Sequence, residues 1–200
     1  MISTLLLIIL SVLIVLLVLA GLVAFIYNRL VTLKNRFKNA FAQIDVQLRR
    51  RYDLIPNLVN TAKAYLSHEA QTLEAVIQAR ARATSAQISL AGDPTQLPAL
   101  GRLVEADGQL SAAVGRLLVS MEAYPELKAD RVILETKEEL ASTENRIAFA
   151  RQAYNDAVMF YNEAREKFPA VLFSEMFGFG LAELWRLDEA AAAAPPKVEF

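Results

Sequence analysis

Chemistry in this chain would have to come from carboxylates, arginines and one histidine, because the sequence contains no cysteine. That removes thiolate nucleophiles, disulfides and cysteine metal sites, and it leaves the redox compartment unassigned. One histidine, His68, cannot build a histidine-rich metal centre. Beside Glu69 it reads as a surface or satisfied bundle residue rather than a ligand or proton shuttle. Glu138 and Glu139 are adjacent, but successive helix positions point about 100° apart, so they suit a solvated face better than a shared acid–base site. No glycine-rich phosphate loop follows a strand, and no HExxH zinc motif occurs. Without a nucleophile and base, a ligand cluster or a phosphate cradle, the expectation is a protein that is not an enzyme, with no cofactor and no metal.

Two other groups of residues invite a role. Arg49, Arg50 and Arg51 stand next to Asp53. The acid reads as ion-paired at a helix end, and the arginines as a positive helix face opposite the acids of a neighbouring helix. Anionic lipid or a partner's acidic patch is the alternative for the triplet. Lysine plus arginine (21) nearly balances aspartate plus glutamate (22), so no nucleic-acid partner is expected. Further on, Phe168, Phe173, Phe177, Phe179 and Trp185 fall in one short stretch with only two acids, Glu175 and Glu183. So much apolar surface must cover the bundle end, bind another subunit or enter a membrane surface. The stretch has no cation for anionic lipid, which ranks membrane contact third.

The elements that must carry these residues are announced by hydrophobic pattern. Met1 to Asn28 contains no charged side chain and is apolar almost throughout. About 20 apolar residues cross a hydrocarbon layer of roughly 30 Å, so the run is long enough to span a bilayer. It is too long, and lacks the basic start, for a cleaved signal peptide. Residues 1–28 are therefore expected to be a permanent single-pass membrane anchor. Arg29, Lys34, Arg36 and Lys38 follow with no acid before Asp45. The positive-inside rule puts that side in the cytoplasm, with a periplasmic body as the exception an exported domain can make.

The rest reads as all-α. Ala, Leu, Glu, Arg and Gln dominate between breaks at Pro94, Pro125, Pro169, Pro195 and Pro196. Ile133, Leu140, Ile147, Tyr154, Tyr161 and Phe168 recur every seven residues. Thr136, Thr143, Ala150, Ala157 and Ala164 form a second, smaller row three residues on. That is a heptad seam, expected on a helix of some 40 residues from Tyr124-Pro125 to Phe168-Pro169. A second stripe runs Phe37, Phe41, Ile44, Leu48, Ile55, Leu58, Ala62, Tyr65 and Val76, and its phase survives Pro56. A kinked helix is favoured there over a tight reversal. The same register places Arg51 and Glu69 on the seam, where a charge must be paired or snorkel to water. A third helix is expected over about 95–123, with Leu103, Leu110 and Leu117 on one row. Gly101, Gly108 and Gly115 also recur by sevens, as a close helix contact or by coincidence.

The segment Asp45-Val46-Gln47-Leu48-Arg49-Arg50-Arg51-Tyr52-Asp53-Leu54-Ile55-Pro56-Asn57-Leu58-Val59 resembles the signature of the LemA family. Tyr65 to Glu69, Glu122 to Ala129, Glu144 to Ala148, Arg151 to Val158 and Tyr161-Asn162 agree with it. The resemblance covers about residues 27–178 and leaves out Ala190 to Phe200. It implies a single-pass bacterial membrane protein with an antiparallel helical bundle, in a family that includes a relative associated with magnetosome membranes. It implies no catalytic activity, substrate or cofactor.

The sequence therefore predicts an N-terminal transmembrane helix followed by an elongated antiparallel helical bundle of three to four long helices. The domains are an anchor over 1–28, a bundle over 29–189 with an apolar segment at 169–189, and a flexible tail over 190–200. Arg51, Asp53, Pro56, Glu69, Tyr124, Pro125, Tyr154, Tyr161, Phe168, Phe173, Phe177, Phe179 and Trp185 are the candidate packing or interaction positions. The expected partners are the lipid bilayer and further copies of the chain. An accessory subunit that holds another membrane protein is the competing reading.

Overall fold

The computed structural model describes residues 2–66 and 69–186, so His68 and the 190–200 tail lie outside the described residues. All regular structure among them is helical: α1 (Ile2–Lys63), α2 (Ala70–Leu90), α3 (Leu97–Ser120), the short α4 (Pro125–Ala129), α5 (Arg131–Glu166) and the four-residue α6 (Val171–Ser174). A single turn of 3₁₀-helix, Met121–Ala123, joins α3 to α4.

At 1.5 Å per residue the 62 residues of α1 measure about 93 Å. Its first part stands open on nearly every side, whereas from Ile26 onward one face is buried. Leu30, Phe37, Ile44 and Leu58 lie on one heptad row, and Phe41, Leu48, Ile55 and Ala62 on the next. Against them α5 runs antiparallel, as the pairs Arg50–Glu139, Arg51–Glu144 and Phe37–Tyr161 show. Helix α2 returns along α1, with Gln87 at Asp45 and Arg80 at Tyr52. Helix α3 then packs on α2.

Pro56 neither reverses α1 nor ends it. Proline has no N–H, so the carbonyl of Tyr52, four residues earlier, loses its helical donor. Arg80 on α2 supplies the replacement, its Nε donating to that carbonyl at 2.6 Å. The chain reverses instead between Lys63 and Ala70. Val76 therefore belongs to α2, not to the stripe of α1 to which its sequence phase assigns it.

Two further expectations are corrected. Helix α5 begins at Arg131 rather than after Pro125, because the Asp130 carboxylate caps it, accepting from the N–H groups of Val132 (2.9 Å) and Ile133 (3.2 Å). Pro125 opens α4 in a first-turn position. At the other end, Lys167 is already extended, and Phe168 precedes a proline that disfavours the helical region. The seam thus stops at Tyr161 and Ala164, and Phe168 is 80% exposed. The glycine row marks no close contact at its ends: a Cβ added at Gly101 or Gly115 would meet nothing within 4 Å.

A bond that exists to satisfy an orphaned carbonyl should matter only while that orphan exists. In detergent, Arg80→Met is expected to cost about 1–3 kcal/mol in the native background and clearly less in a Pro56→Ala background. Chemical denaturation followed by far-ultraviolet circular dichroism reads this cycle, and equal costs in both backgrounds would refute it.

Candidate functional site

Midway along the bundle the heptad core is interrupted by charge. Arg51 occupies the α1 row of Leu30, Phe37, Ile44 and Leu58, and Asp107 faces it from α3 with no solvent exposure. Arg51 Nη2 donates to Asp107 Oδ1, and its Nη1 donates to Glu144 Oε2 at 2.8 Å and to Ser111 Oγ at 3.1 Å. Arg151 on α5 donates to the other Asp107 oxygen at 2.5 Å, and the Tyr52 hydroxyl donates to Oδ1 at 3.2 Å. One carboxylate thus holds two guanidiniums and a phenol from two other helices. Burial works against a charged guanidinium, but Asp107 and Glu144 more than offset it and hold Arg51 above its ordinary pKa. Burial and the neighbouring carboxylate push the Tyr52 hydroxyl up, so it stays protonated and able to donate. Arg51 is therefore a paired core residue, not a side chain that snorkels to water.

A second arrangement lies on the membrane-proximal side. After α6 the chain runs extended along α5, and side chains of α5 hold its backbone. Asn162 donates to the Ala182 carbonyl at 2.9 Å and accepts from the Ala182 N–H at 3.1 Å. Asn155 does the same for Trp185, at 3.2 and 2.8 Å. The hydroxyls of Tyr161 and Tyr154 each donate at 2.8 Å, to the carbonyls of Gly180 and Glu183. Arg165 Nε donates to the Phe179 carbonyl at 2.7 Å. The spacing has a simple origin. Seven helical residues rise about 10.5 Å, and three extended residues cover about 10 Å, so each step of seven along α5 meets a step of three along the strap.

The strap fills a gap left by unequal helix lengths. Helices α2 and α3 flank α1 only from about residue 42 onward, as the Gln87–Asp45 and Arg51–Asp107 contacts fix their level. Below that level Phe179 and Trp185 cover the α1–α5 seam. Phe179 packs its ring against Tyr27 at 5.5 Å, and Trp185 lies 6.3 Å from Phe41. Trp185 also lies under the Arg151 guanidinium at 5.2 Å, which joins the strap to the charge cluster.

The structure therefore brings Arg51, Tyr154, Tyr161, Phe179 and Trp185 into one connected core. Phe173 and Phe177 are half-buried, and stack on each other at 6.3 Å. Pro56 acts through Arg80. Asp53 is exposed in mid-helix and makes no ion pair among the described residues; the acid that Arg49 meets is Asp45, at 2.8 Å. Glu69 sits ahead of α2, off the seam, and accepts from the Thr72 hydroxyl at 3.0 Å. Tyr124 is half-buried and packs against the core where the chain turns into α4, and Pro125 opens that helix. Sequence reasoning missed Asp107, Arg151, Asn155, Asn162 and Arg165. Asp107 was within reach, since it shares the row of Leu100, Val114 and Met121. Among the described residues no group of three or more acids or histidines gathers to hold a metal ion.

The profile of the LemA family matches residues 40–200. This chain belongs to the LemA family. The match takes in Ala190 to Phe200, which lie beyond the motif resemblance. Magnetosome protein MamQ 2 of Paramagnetospirillum magneticum is 28% identical over 178 residues, which is 80% of this chain and 64% of that relative. MamQ of Magnetospirillum gryphiswaldense is 27% identical over 184 residues, 82% of this chain and 68% of its own. Protein LemA of Metamycoplasma hominis is 25% identical over 146 residues, 71% and 62% respectively. The chain thus spans less than two thirds of the MamQ 2 and Metamycoplasma relatives. Within this LemA-family body, a membrane-associated helical protein, the charge cluster and the strap gather most of the long-range side-chain hydrogen bonds, while Arg51 Nε, Arg151 Nε and Trp185 Nε1 are buried without a partner among the described residues.

Removing the central carboxylate leaves two buried guanidiniums without their counter-ion. Asp107→Asn is expected to destabilise the body by about 3–5 kcal/mol, read by chemical denaturation in detergent. Replacing Asn155 and Asn162 together by alanine removes four backbone bonds and is expected to release the strap. Trp185 is the only tryptophan, so its emission should shift red and its quenching by acrylamide should rise; an unchanged spectrum would contradict the clamp.

Proposed function

We propose that this is a non-enzymatic, membrane-anchored protein whose helical body self-associates laterally into a membrane-bound assembly or scaffold. The observation that carries this is large apolar side chains left exposed on the outer side of α5, interspersed with the exposed acids Glu138 and Asp156. Phe149 is 73% exposed, and Phe160, with the Arg36 guanidinium over its ring at 5.9 Å, is 51% exposed. Eleven residues apart, they share a face, and exposed Leu134 lies within a quarter turn of it. Exposed phenylalanines spaced along an anchored rod offer contact points for a second copy. Anchoring supports the reading, because confinement to a plane raises the effective concentration for weak contacts. The described residues contain one helix, α1, long and apolar enough to cross a membrane. The cations Arg29, Lys34, Arg36 and Lys38 favour a body on the cytoplasmic side of a bacterial inner membrane. The MamQ relatives are named for the magnetosome, the one functional context that the relatives' names supply.

A second reading has its own observation. A groove of about 1040 Å³ separates α3 from the strap, lined by Leu100, Gly101, Val104, Gly108, Leu181 and Leu184 among others. A groove of that size would suit an accessory subunit that holds another membrane or envelope protein.

Size measurement of the detergent-extracted protein, with and without lipid, tests the first reading. An oligomer is expected, and Phe149→Asp should reduce it to monomer. A monomer of the native protein at micromolar concentration in both conditions would defeat it. Crosslinking in membranes from a cysteine placed at Phe149 should give self-links; a single foreign partner instead would favour the accessory role.

A further inference from the structure

The short helical piece between α5 and the strap presents its apolar residues on the wrong side for a protein in water. Two turns are closed by backbone bonds from Val171 N–H to Lys167, Ser174 N–H to Ala170 and Phe177 N–H to Phe173. They end in a Schellman arrangement, with Gly178 N–H bonded to Glu175 and Phe179 N–H to Ser174. Gly178 takes the left-handed conformation this requires, at φ +71°. Inward, Ala170, Phe173, Ser174 and Phe177 are buried or half-buried. Outward stand Phe168 (80% exposed), Leu172 (64%) and Met176 (68%), four residues apart, with Val171 beside them. The one acid on this side, Glu175, is drawn to Arg165 at 3.5 Å.

The level of this face along α1 decides what covers it. Phe177 packs edge-on against Tyr27 at 5.4 Å, and Tyr27 is the last apolar residue of the uncharged run. Ile26, still inside that run, is buried while its neighbours Leu22 and Phe25 stand open. Burial by the body therefore begins inside the apolar segment, not beyond it. Lys34, further along α1, lies over the Phe179 ring at 5.8 Å, and Arg29 follows Tyr27 by two residues, so the cations that flank the apolar run begin at the level of the piece. Once the anchor is in a bilayer, the open face of 168–176 is held at the boundary between headgroups and acyl chains, where an amphipathic element with aromatic and aliphatic residues is stable.

We infer that Phe168, Val171, Leu172 and Met176 form a second membrane contact, a monotopic foot that enters the bilayer surface beside the anchor. The occupant of this face is lipid rather than a second copy, because the Phe177–Tyr27 contact and the buried Ile26 hold the piece at the level where the apolar run of α1 ends. The contact is apolar, not electrostatic: the 168–176 stretch has no cation, so it needs no anionic headgroup. The foot also fixes how far the body stands from the membrane, since α5 and the strap meet at it. This inference rests on the reading of residues 1–28 as an anchor.

The chain has no cysteine, so single environment-sensitive labels can be placed freely. Full-length Leu172→Cys and Met176→Cys, each carrying an NBD label, are reconstituted in phosphatidylcholine vesicles with and without doxyl-labelled lipid. Leu13→Cys serves as the anchor control and Val119→Cys as the solvent control. Blue-shifted emission and doxyl quenching are expected at 172 and 176, near that at 13 and absent at 119. If 13 is quenched while 172 and 176 behave like 119, the foot is overturned and the anchor stands. If 172 and 176 are shielded from iodide but untouched by doxyl lipid, protein covers the face and the inference fails. If 13 itself is not quenched, the anchor reading fails and the foot with it.

Discussion

One buried carboxylate ties this body together. Asp107 of α3 accepts from Arg51 and Tyr52 of α1 and from Arg151 of α5, and Arg151 in turn lies against Trp185 of the strap. Every long-range layer except α2 therefore meets at one group. A salt bridge in such a place is a poor source of net stability, since desolvation offsets most of its attraction. Its value is in register. A heptad seam of leucines and isoleucines tolerates a slip by one heptad, whereas two arginines and an acid can be satisfied in only one alignment of α1, α3 and α5. Glu144 and Ser111 extend the same constraint to the bundle surface.

The strap solves a different problem, the unequal length of the helices. Helix α5 has 36 residues against 21 in α2 and 24 in α3, so the membrane-proximal part of the α1–α5 pair has no helical cover. An extended chain can cover it only if its own polar backbone is satisfied, because an unmet buried N–H or C=O costs about 1–3 kcal/mol. The tyrosines and asparagines of α5 provide that, and the large residues Phe179 and Trp185 fill the seam. Side-chain recognition replaces the ladder that a β-partner would have given.

Much of this architecture is legible in the amino-acid sequence. The uncharged run, the all-helical content and the seam from Ile133 to Tyr161 follow from period and length alone. Where sequence and structure part, a local cue competes with a longer one. The α1 stripe keeps its phase as far as Val76 only because the reversal between Lys63 and Ala70 happens to preserve it. Phe168 keeps the count of seven along the α5 seam, although the proline after it forbids the helical geometry. Arg51 resembles a surface cation since its neighbours are arginines, yet its row belongs to the core, and its counter-ion lies 56 residues away. The strap cannot be read from periodicity at all, as its signal is a pair of asparagines on one helix matched to backbone atoms of another segment.

Helix α1 runs without a break from the apolar N-terminal run to the far end of the body. From Arg29 to Lys63 the helix continues for 35 residues, about 52 Å. Membrane helices tilt by about 20° on average, and the angle responds to bilayer thickness. A lever of that length converts such a tilt into a sideways sweep of about 18 Å at the far end. The tilt of α1 therefore sets where the distal tip of the body stands.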